Sequence, residues 1–438
     1  MFKKVFPLSA ILSLRFLGLF LVLPTLSIYA LTLNGATPLL VGVIVGGYAL
    51  TQALFQVPFG TMSDKIGRKP TLLVGLLIFF VGSLICAFST DIYMLMLGRF
   101  LQGAGAIGSV VTAMISDLVE EEIRGKAMAI MGATIAMSFA LAMGLGPILG
   151  AAYGVDFLFI LTAIFAIIAI ILLFSKVPTP PKIKHIYHNT SKTSDILKDP
   201  NLLNMIIINA MQKGLMTMAF VLIPIILTSE SFGWEKADLY KAYLPAMIFG
   251  LLAMGPAAVF GEKKNKPREI FLLSILFFIA SFFIMGYTHS EFLFVTGVVL
   301  FFIAFNMMEP LVQSMITKFA KVHQKGAALG ISNSAAYFAT FIGGTAAGLL
   351  LDISDRDIIG AVVGSIAILW LLWTLRLPNP TKYSHLFLAI DLVDMKKLES
   401  LESAHIAEWY INESEKVVVV KFAVEAIAKE SIEAQILK

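Results

Sequence analysis

The chain has 438 residues, of which 58% are apolar and only 14% are charged, against roughly 25% charged in soluble domains. A single soluble core does not keep growing at this length, so a soluble globular protein is excluded and an all-α polytopic membrane protein is expected. The net charge is only +4, which gives no reason to expect a nucleic-acid partner. One cysteine, Cys86, allows neither an internal disulfide nor a Cys-based metal site.

The N-terminal stretch MFKKVFPLSAILSL lacks a small-residue cleavage pattern and runs past the length of a signal h-region, so it reads as a retained first span. Apolar stretches long enough to cross a bilayer core of about 30 Å then recur. Twelve spans are predicted, at 8–31, 38–61, 70–90, 93–118, 125–151, 155–175, 201–229, 239–260, 269–288, 291–317, 325–351 and 357–376. Lysine and arginine crowd alternate loops: Lys3, Lys4, Lys65, Arg68, Lys69, Arg124, Lys126, the stretch 176–198, Lys263, Lys264, Lys266, Arg268, Lys318, Lys321, Lys325, Arg376 and Lys382 fall on one side. Only Lys236, Lys241 and Arg356 fall on the other. The positive-inside rule makes the rich side cytoplasmic and places both termini there.

The longest loop among the spans, KVPTPPKIKHIYHNTSKTSDILKD, is Pro-rich, basic and polar, and reads as a flexible tether. It divides the spans six and six. Phe59-Gly60 recurs as Phe260-Gly261 and Met114-Ile115 as Met315-Ile316, each 201 residues later. Two matching offsets argue for an internal duplication, as in transporters with parallel repeats. The expected units are therefore a six-helix bundle at 1–175, a linker at 176–200, a second bundle at 201–376 and a small domain at 381–438. In that last unit YSHLFLAI alternates like a strand, DMKKLESLESAHIAEW reads as a helix, and WYIN with KVVVVKF forms a hairpin turned by Glu413-Ser414-Glu415. AVEAIAKESIEAQILK is helical in period. The order βαββα suggests a cytoplasmic α+β ferredoxin-like domain.

Four charged residues fall inside spans: Arg15, Arg99, Lys213 and Glu309. Each costs several kcal/mol in lipid unless it faces a bundle interior or a wet cavity. Either they tie helices together, or they act in transport. Glu309 is the one carboxylate well inside a span; an apolar site favours the protonated form of such an acid, so it is the candidate proton carrier, with Arg15, Arg99 or Lys213 as its expected partners in proton coupling. Tyr48, Gln52, Gln56, Gln102, Asn209, Gln212, Asn306, Asn333 and Tyr337 add a candidate substrate-cavity lining, with interhelical hydrogen bonding as the alternative. In LAMGLGPILGAAYG, Gly144, Gly146, Pro147 and Gly150 suggest a small-residue packing ridge with a weakened hinge.

The charged stretch GTMSDKIGRKP carries the closest family likeness. Gly60, Asp64, Gly67, Arg68 and Lys69 fill GxxxDxxGRK in the loop after span two, similar to motif A of the major facilitator superfamily. Arg99 in GRFLQGAG resembles the motif B of proton-coupled members, and Gly144, Gly146, Pro147 and Gly150 resemble the motif C of the antiporter branch. Asp117 and Arg124 fit the partner loop between spans four and five. SLRFLGLFLVLP, YALTQALFQVPFG and FFIAFNMMEPLV look most like the YajR-type bacterial members, which carry a C-terminal ferredoxin-like domain. The resemblance implies an inner-membrane transporter working by alternating access, exporting small apolar or amphiphilic compounds against protons, with lipid, substrate and protons as partners, no cofactor or metal, and a monomeric state.

The stretch also reads as a conformational latch, because an Asp at a membrane boundary can cap a neighbouring helix N-terminus. Asp64 is expected to cap span eleven near Gly326 and Arg68 to pair with Asp117, both contacts breaking when the cytoplasmic side opens. A facilitator or nutrient symporter of the same fold, or a sensor signalling through the C-terminal domain, are the alternatives. No Ser-His-Asp order, metal cluster or phosphate loop points to an enzyme.

Overall fold

The computed structural model describes residues 2–178, 193–320, 324–380, 383–394, 397–398, 406–412, 416–423, 427 and 429–437. Among these residues twelve helical segments are long and apolar enough to cross a membrane. In the first half α1 (Phe2–Leu21) and α2 (Leu23–Leu31) form one span, followed by α3 (Pro38–Ile66), α4 (Arg68–Ala87), α5 (Ile92–Ala104) with α6 (Gly108–Leu118), α7 (Glu121–Tyr153) and α8 (Val155–Ser175). After a short helix α9 (Thr193–Lys198) the second half runs through α10 (Pro200–Thr228), α11 (Tyr240–Ala258), α12 (Pro267–Tyr287), α13 (Glu291–Phe319), α14 (Lys325–Ile353) and α15 (Arg356–Thr374).

Helix starts follow local chemistry. The Thr37 hydroxyl accepts from Leu40 N–H, Asp91 accepts from Tyr93 and Met94 N–H, and Asp199 accepts from Asn201 and Leu202 N–H. Such caps satisfy first-turn donors that have no helical partner. Pro38 and Pro200 follow two of these caps, where their missing N–H is harmless.

Four details differ from the sequence-based expectation. Spans one and four are each broken into two helices, the second at residues 105–107, where the chain packs directly on the backbone of α4 at Gly75. The tether is helical over Thr193–Lys198, with Asp195 in its first turn; residues 179–192 lie outside the described set. The helix expected over residues 394–409 does not reach its predicted end: Ile406–Asn412 is a strand, because it pairs antiparallel with Val417–Ala423. The last helix spans only Lys429–Ile436. The small unit is a sheet ordered β1 (Tyr383–Ala389), β3 (Val417–Ala423), β2 (Ile406–Asn412), packed through Leu386, Val418, Val420, Phe422, Ile432 and Ile436. Its hairpin turn at 413–415 lies outside the described residues.

The halves meet along α3 and α14, on the face opposite the Lys- and Arg-rich loops. Gly42 lies on the backbone of Gly344, and Gly46 on that of Thr340 and Phe341. Gly348 meets Pro38 and Leu39. A methyl group at Gly42 or Gly344 would strike the facing backbone, so the sequence must leave both side chains out. Nearby, Ser27 Oγ donates to Phe220 O at 3.4 Å, and Gly144 of α7 packs on Leu244 of α11 at 3.6 Å from its Cβ position. Toward the basic face such contacts do not recur: a Cβ added at Gly132, Gly255, Gly326 or Gly330 would meet nothing within 4 Å.

Gly344→Leu should therefore wedge the seam open. Overpacking costs about 1–3 kcal/mol, a shift of roughly 5- to 150-fold in the balance of conformations. Membrane insertion should persist, while thiol labelling of an Ala347→Cys reporter, at a fully buried position between Gly344 and Gly348, should rise; unchanged labelling would show that the seam tolerates bulk.

Candidate functional site

The parting of the halves leaves a cleft open to the basic face. Its ceiling is aromatic. Phe139 of α7 lies 4.9 Å from Phe20 and, across the interface, 5.8 Å from Phe305, 6.3 Å from Phe220 and 6.5 Å from Phe302. On the other flank Tyr337 of α14 packs on the cluster of Leu19, Tyr48, Ala49 and Phe79 from the first half.

Just beneath this ceiling sits the first charged group. Lys213 Nζ lies 2.9 and 2.7 Å from the two carboxylate oxygens of Glu309, and over the Phe305 ring at 4.7 Å. Gln212 Nε2 donates to Glu309 Oε2 at 3.1 Å and to Phe305 O at 3.0 Å. The pair is not sealed: the Glu309 side chain is 39% exposed and that of Lys213 22%. The expected lone acid is thus an ion pair bridging α10 and α13, wet on one side.

The second group lies inside the first half and does not touch Glu309. Arg15 and Arg99 are both fully buried. Arg15 Nη2 donates to Gln52 Oε1 at 3.1 Å and to Gln102 O at 3.3 Å. Arg99 Nη1 donates to Gln102 Oε1 at 2.7 Å, with Nε and Nη2 directed at the Ile44 and Val45 carbonyls. Arg99 also stacks on Tyr48 at 4.8 Å, and Arg15 on Phe79 at 5.3 Å. Gln102 Nε2 reaches Ser83 Oγ at 3.0 Å.

Most of the polar residues expected to line a cavity are therefore occupied in packing. Gln52, Gln102 and Gln212 hold the charges, Asn209 donates to Ser332 Oγ at 2.9 Å, and Asn306 turns back to Phe302 O at 2.8 Å. Gln56 and Tyr48 are buried. Asn333, which accepts from Gln313 at 3.2 Å, and Tyr337 are the expected lining residues that retain partial exposure. Gly146 packs on Leu21 O and Gly150 on Thr25 and Leu158, so the glycine ridge joins α7 to the first span and the sixth; α7 runs unbroken through Pro147.

The charged stretch at Gly60–Pro70 proves to be almost wholly helical. Residues up to Ile66 belong to α3, α4 starts at Arg68, and Gly67 alone makes the turn at φ 102°. That conformation is open to glycine and strained for other residues. The turn places Arg68 for three bonds: Nε to Asp117 Oδ2 at 2.9 Å, Nη1 to Asp64 Oδ1 at 2.6 Å and to Ser63 Oγ at 2.6 Å. Lys69 lies in the first turn of α4 and Gly60 beside Ser109; the side chain of Arg124 lies outside the described residues.

The Arg68–Asp117 contact is present although the basic face is open. Both residues belong to the first half, so the pair does not bridge the two halves. Asp64, 66% exposed, stays bound to Arg68 and clear of α14.

Two features escaped the sequence reading. Gly42, Gly46 and Gly214 complete the glycine seams, and the fourfold spacing of Gly42 and Gly46 in GVIVGG was a usable signal. Lys318, the repeat counterpart of Asp117, pairs with Glu262 at 2.5 Å, so the second half carries an ion pair of reversed polarity at the matching end of its fourth span.

The family model described as Major Facilitator Superfamily matches residues 8–268 and 246–409. The inner membrane transport protein YajR of Escherichia coli is 34% identical over 429 residues, covering 96% of this chain and 94% of that protein. The quinolone resistance protein NorA of Staphylococcus aureus is 27% identical, covering 83% and 93%. Among solved structures, the nucleoside transporter NupG superposes with a TM-score of 0.68 at 13% identity, covering 85% of this chain and 98% of that one. The D-xylose-proton symporter gives 0.66 at 17%, covering 86% and 98%.

Asp64→Asn is expected to impair transport while leaving insertion and yield intact, since it removes charge from an exposed turn and no packing. Normal flux in that variant would reduce the turn to a topology signal.

Proposed function

This chain belongs to the Major Facilitator Superfamily and is a secondary transporter, and on that premise we propose that it is a proton-coupled antiporter exporting small apolar or amphiphilic compounds across a bacterial inner membrane. Both termini and the basic face lie in the cytoplasm, and the transporting unit is the monomer. The observation that carries the reading is the half-exposed Lys213–Glu309 pair at the head of a cleft between two halves.

A carboxylate so placed has two states. Ionised, it is held by Lys213 and Gln212 and ties α10 to α13. Protonated, it loses the ion pair and releases the Lys213 ammonium. Differential pairing of this kind biases a two-state equilibrium. With the cytoplasmic face open, Glu309 exchanges protons with the cytoplasm; once the halves rock, the seam at Gly42 and Gly344 opens and the same group meets the other side. In the cytoplasm-closed state Asp64 meets the N-terminus of α14, whose partial positive charge favours an anion. Export against protons is supported by the motif around Gly146 and Pro147 and by the likeness to a quinolone resistance protein.

A second reading, symport, draws on the unneutralised Arg15 and Arg99. An anion arriving beside Lys213 displaces Glu309, which then takes up a proton, so that anion and proton travel together.

Everted vesicles holding an acid interior, reported by acridine orange quenching, decide the matter. Addition of a transported amphiphile should dissipate the gradient, and Glu309→Gln should reduce this to background. Undiminished dissipation in Glu309→Gln would remove Glu309 from the coupling step; gradient-driven movement of compound and proton in one direction would select symport.

A further inference from the structure

We infer that the central cleft is an anion site, and that the transported compound carries a negatively charged group, such as a carboxylate, presented to the Arg15 side of the cleft. This rests on the transporter reading but on neither direction of coupling.

The charge balance is the first ground. Away from the helix ends, the described span interiors hold three cations, Arg15, Arg99 and Lys213, and one carboxylate, Glu309. Lys213 neutralises that carboxylate. A cationic cargo would find no free acid in the cleft, whereas an anionic cargo meets an unbalanced positive interior; selectivity of this kind works as much by excluding the wrong charge as by binding the right one.

Unfilled donors are the second. Arg15 is fully buried, and its Nε and Nη1 have no acceptor among the described residues. Neither Arg15 nor Arg99 has a carboxylate partner among the described residues. The two guanidinium groups share Gln102, so two like charges sit in one low-dielectric network. Buried charges are ordinarily paired, and an unpaired cation inside a membrane protein marks a site of function.

Placement is the third. Tyr337, on α14 of the opposite half, packs on Tyr48 and Phe79 in the cluster where Arg15 stacks. Arg15 is thus one side chain behind the cleft, and the cover belongs to the half that moves. Charges of one sign behind low-dielectric walls focus their field into the cleft and concentrate counter-ions there.

The field can be measured without knowing the cargo. Gln313 is exposed and lies one turn beyond Glu309 on α13, whereas the native Cys86 is fully buried. A Gln313→Cys variant of the full chain in detergent at low salt is reacted with sulfonatoethyl and trimethylammoniumethyl methanethiosulfonate, each rate normalised to that of 2-mercaptoethanol. The anionic reagent should be favoured by about tenfold or more. Adding Arg15→Gln or Arg99→Gln, in preparations that remain monodisperse, should pull the ratio toward one. A ratio at or below that of the free thiol in Gln313→Cys alone overturns the inference, whatever role Glu309 has in coupling, because the measurement involves no proton gradient.

Discussion

Backbone lies directly on backbone where Gly42 meets Gly344, and the rest of the architecture follows from that contact. It brings the halves together on one face, and because α3 and α14 diverge from it, a cleft opens on the other. The contact is made by dispersion between small surfaces rather than by charge, which suits an interface that must come apart. The ion pairs Arg68–Asp117, Lys213–Glu309 and Lys318–Glu262 each lie within one half. They tie helices together inside each half, and none of the three crosses the joint between the halves.

Duplication has given the halves the same frame and different chemistry. The first half buries two arginines against glutamines, carbonyls and aromatic faces. The second holds a lysine and a glutamate in water's reach. At the ends of the fourth and tenth spans the sign of the structural pair is inverted: Asp117 receives Arg68 in one half, and Lys318 receives Glu262 in the other. A gate built from such halves is not symmetric, and the titratable element lies on one side only.

The twelve spans were legible because a hydrocarbon slab imposes a length and excludes charge, and both constraints are written into composition. Asp117 as the partner of Arg68 was legible from the motif. The partner of Glu309 was not, since Lys213 lies 96 residues away and nothing local links them. The glutamines misled for a related reason: a polar side chain in a span reads the same whether it faces water or a buried guanidinium, and only packing tells Gln52 from Asn333. The breaks in spans one and four were hidden because lipid-exposed helices share one hydropathy signal with helices interrupted inside the protein. In the small domain WYIN reads as a strand, but IAEW reads as the end of a helix until its pairing with Val417–Ala423 carries the strand back to Ile406.

The central claim is that the two faces open in alternation about the glycine seam, under the control of Glu309. Its most direct test is a pair of spin-label distances in the same protein, one between Thr61→Cys and Ala327→Cys on the basic face and one between Leu31→Cys and Ile353→Cys on the other, each recorded for native Glu309 and for Glu309→Gln. The account predicts opposite changes: neutralising Glu309 should shorten the first distance and lengthen the second. Two distances that stay fixed, or that change in the same sense, would contradict it.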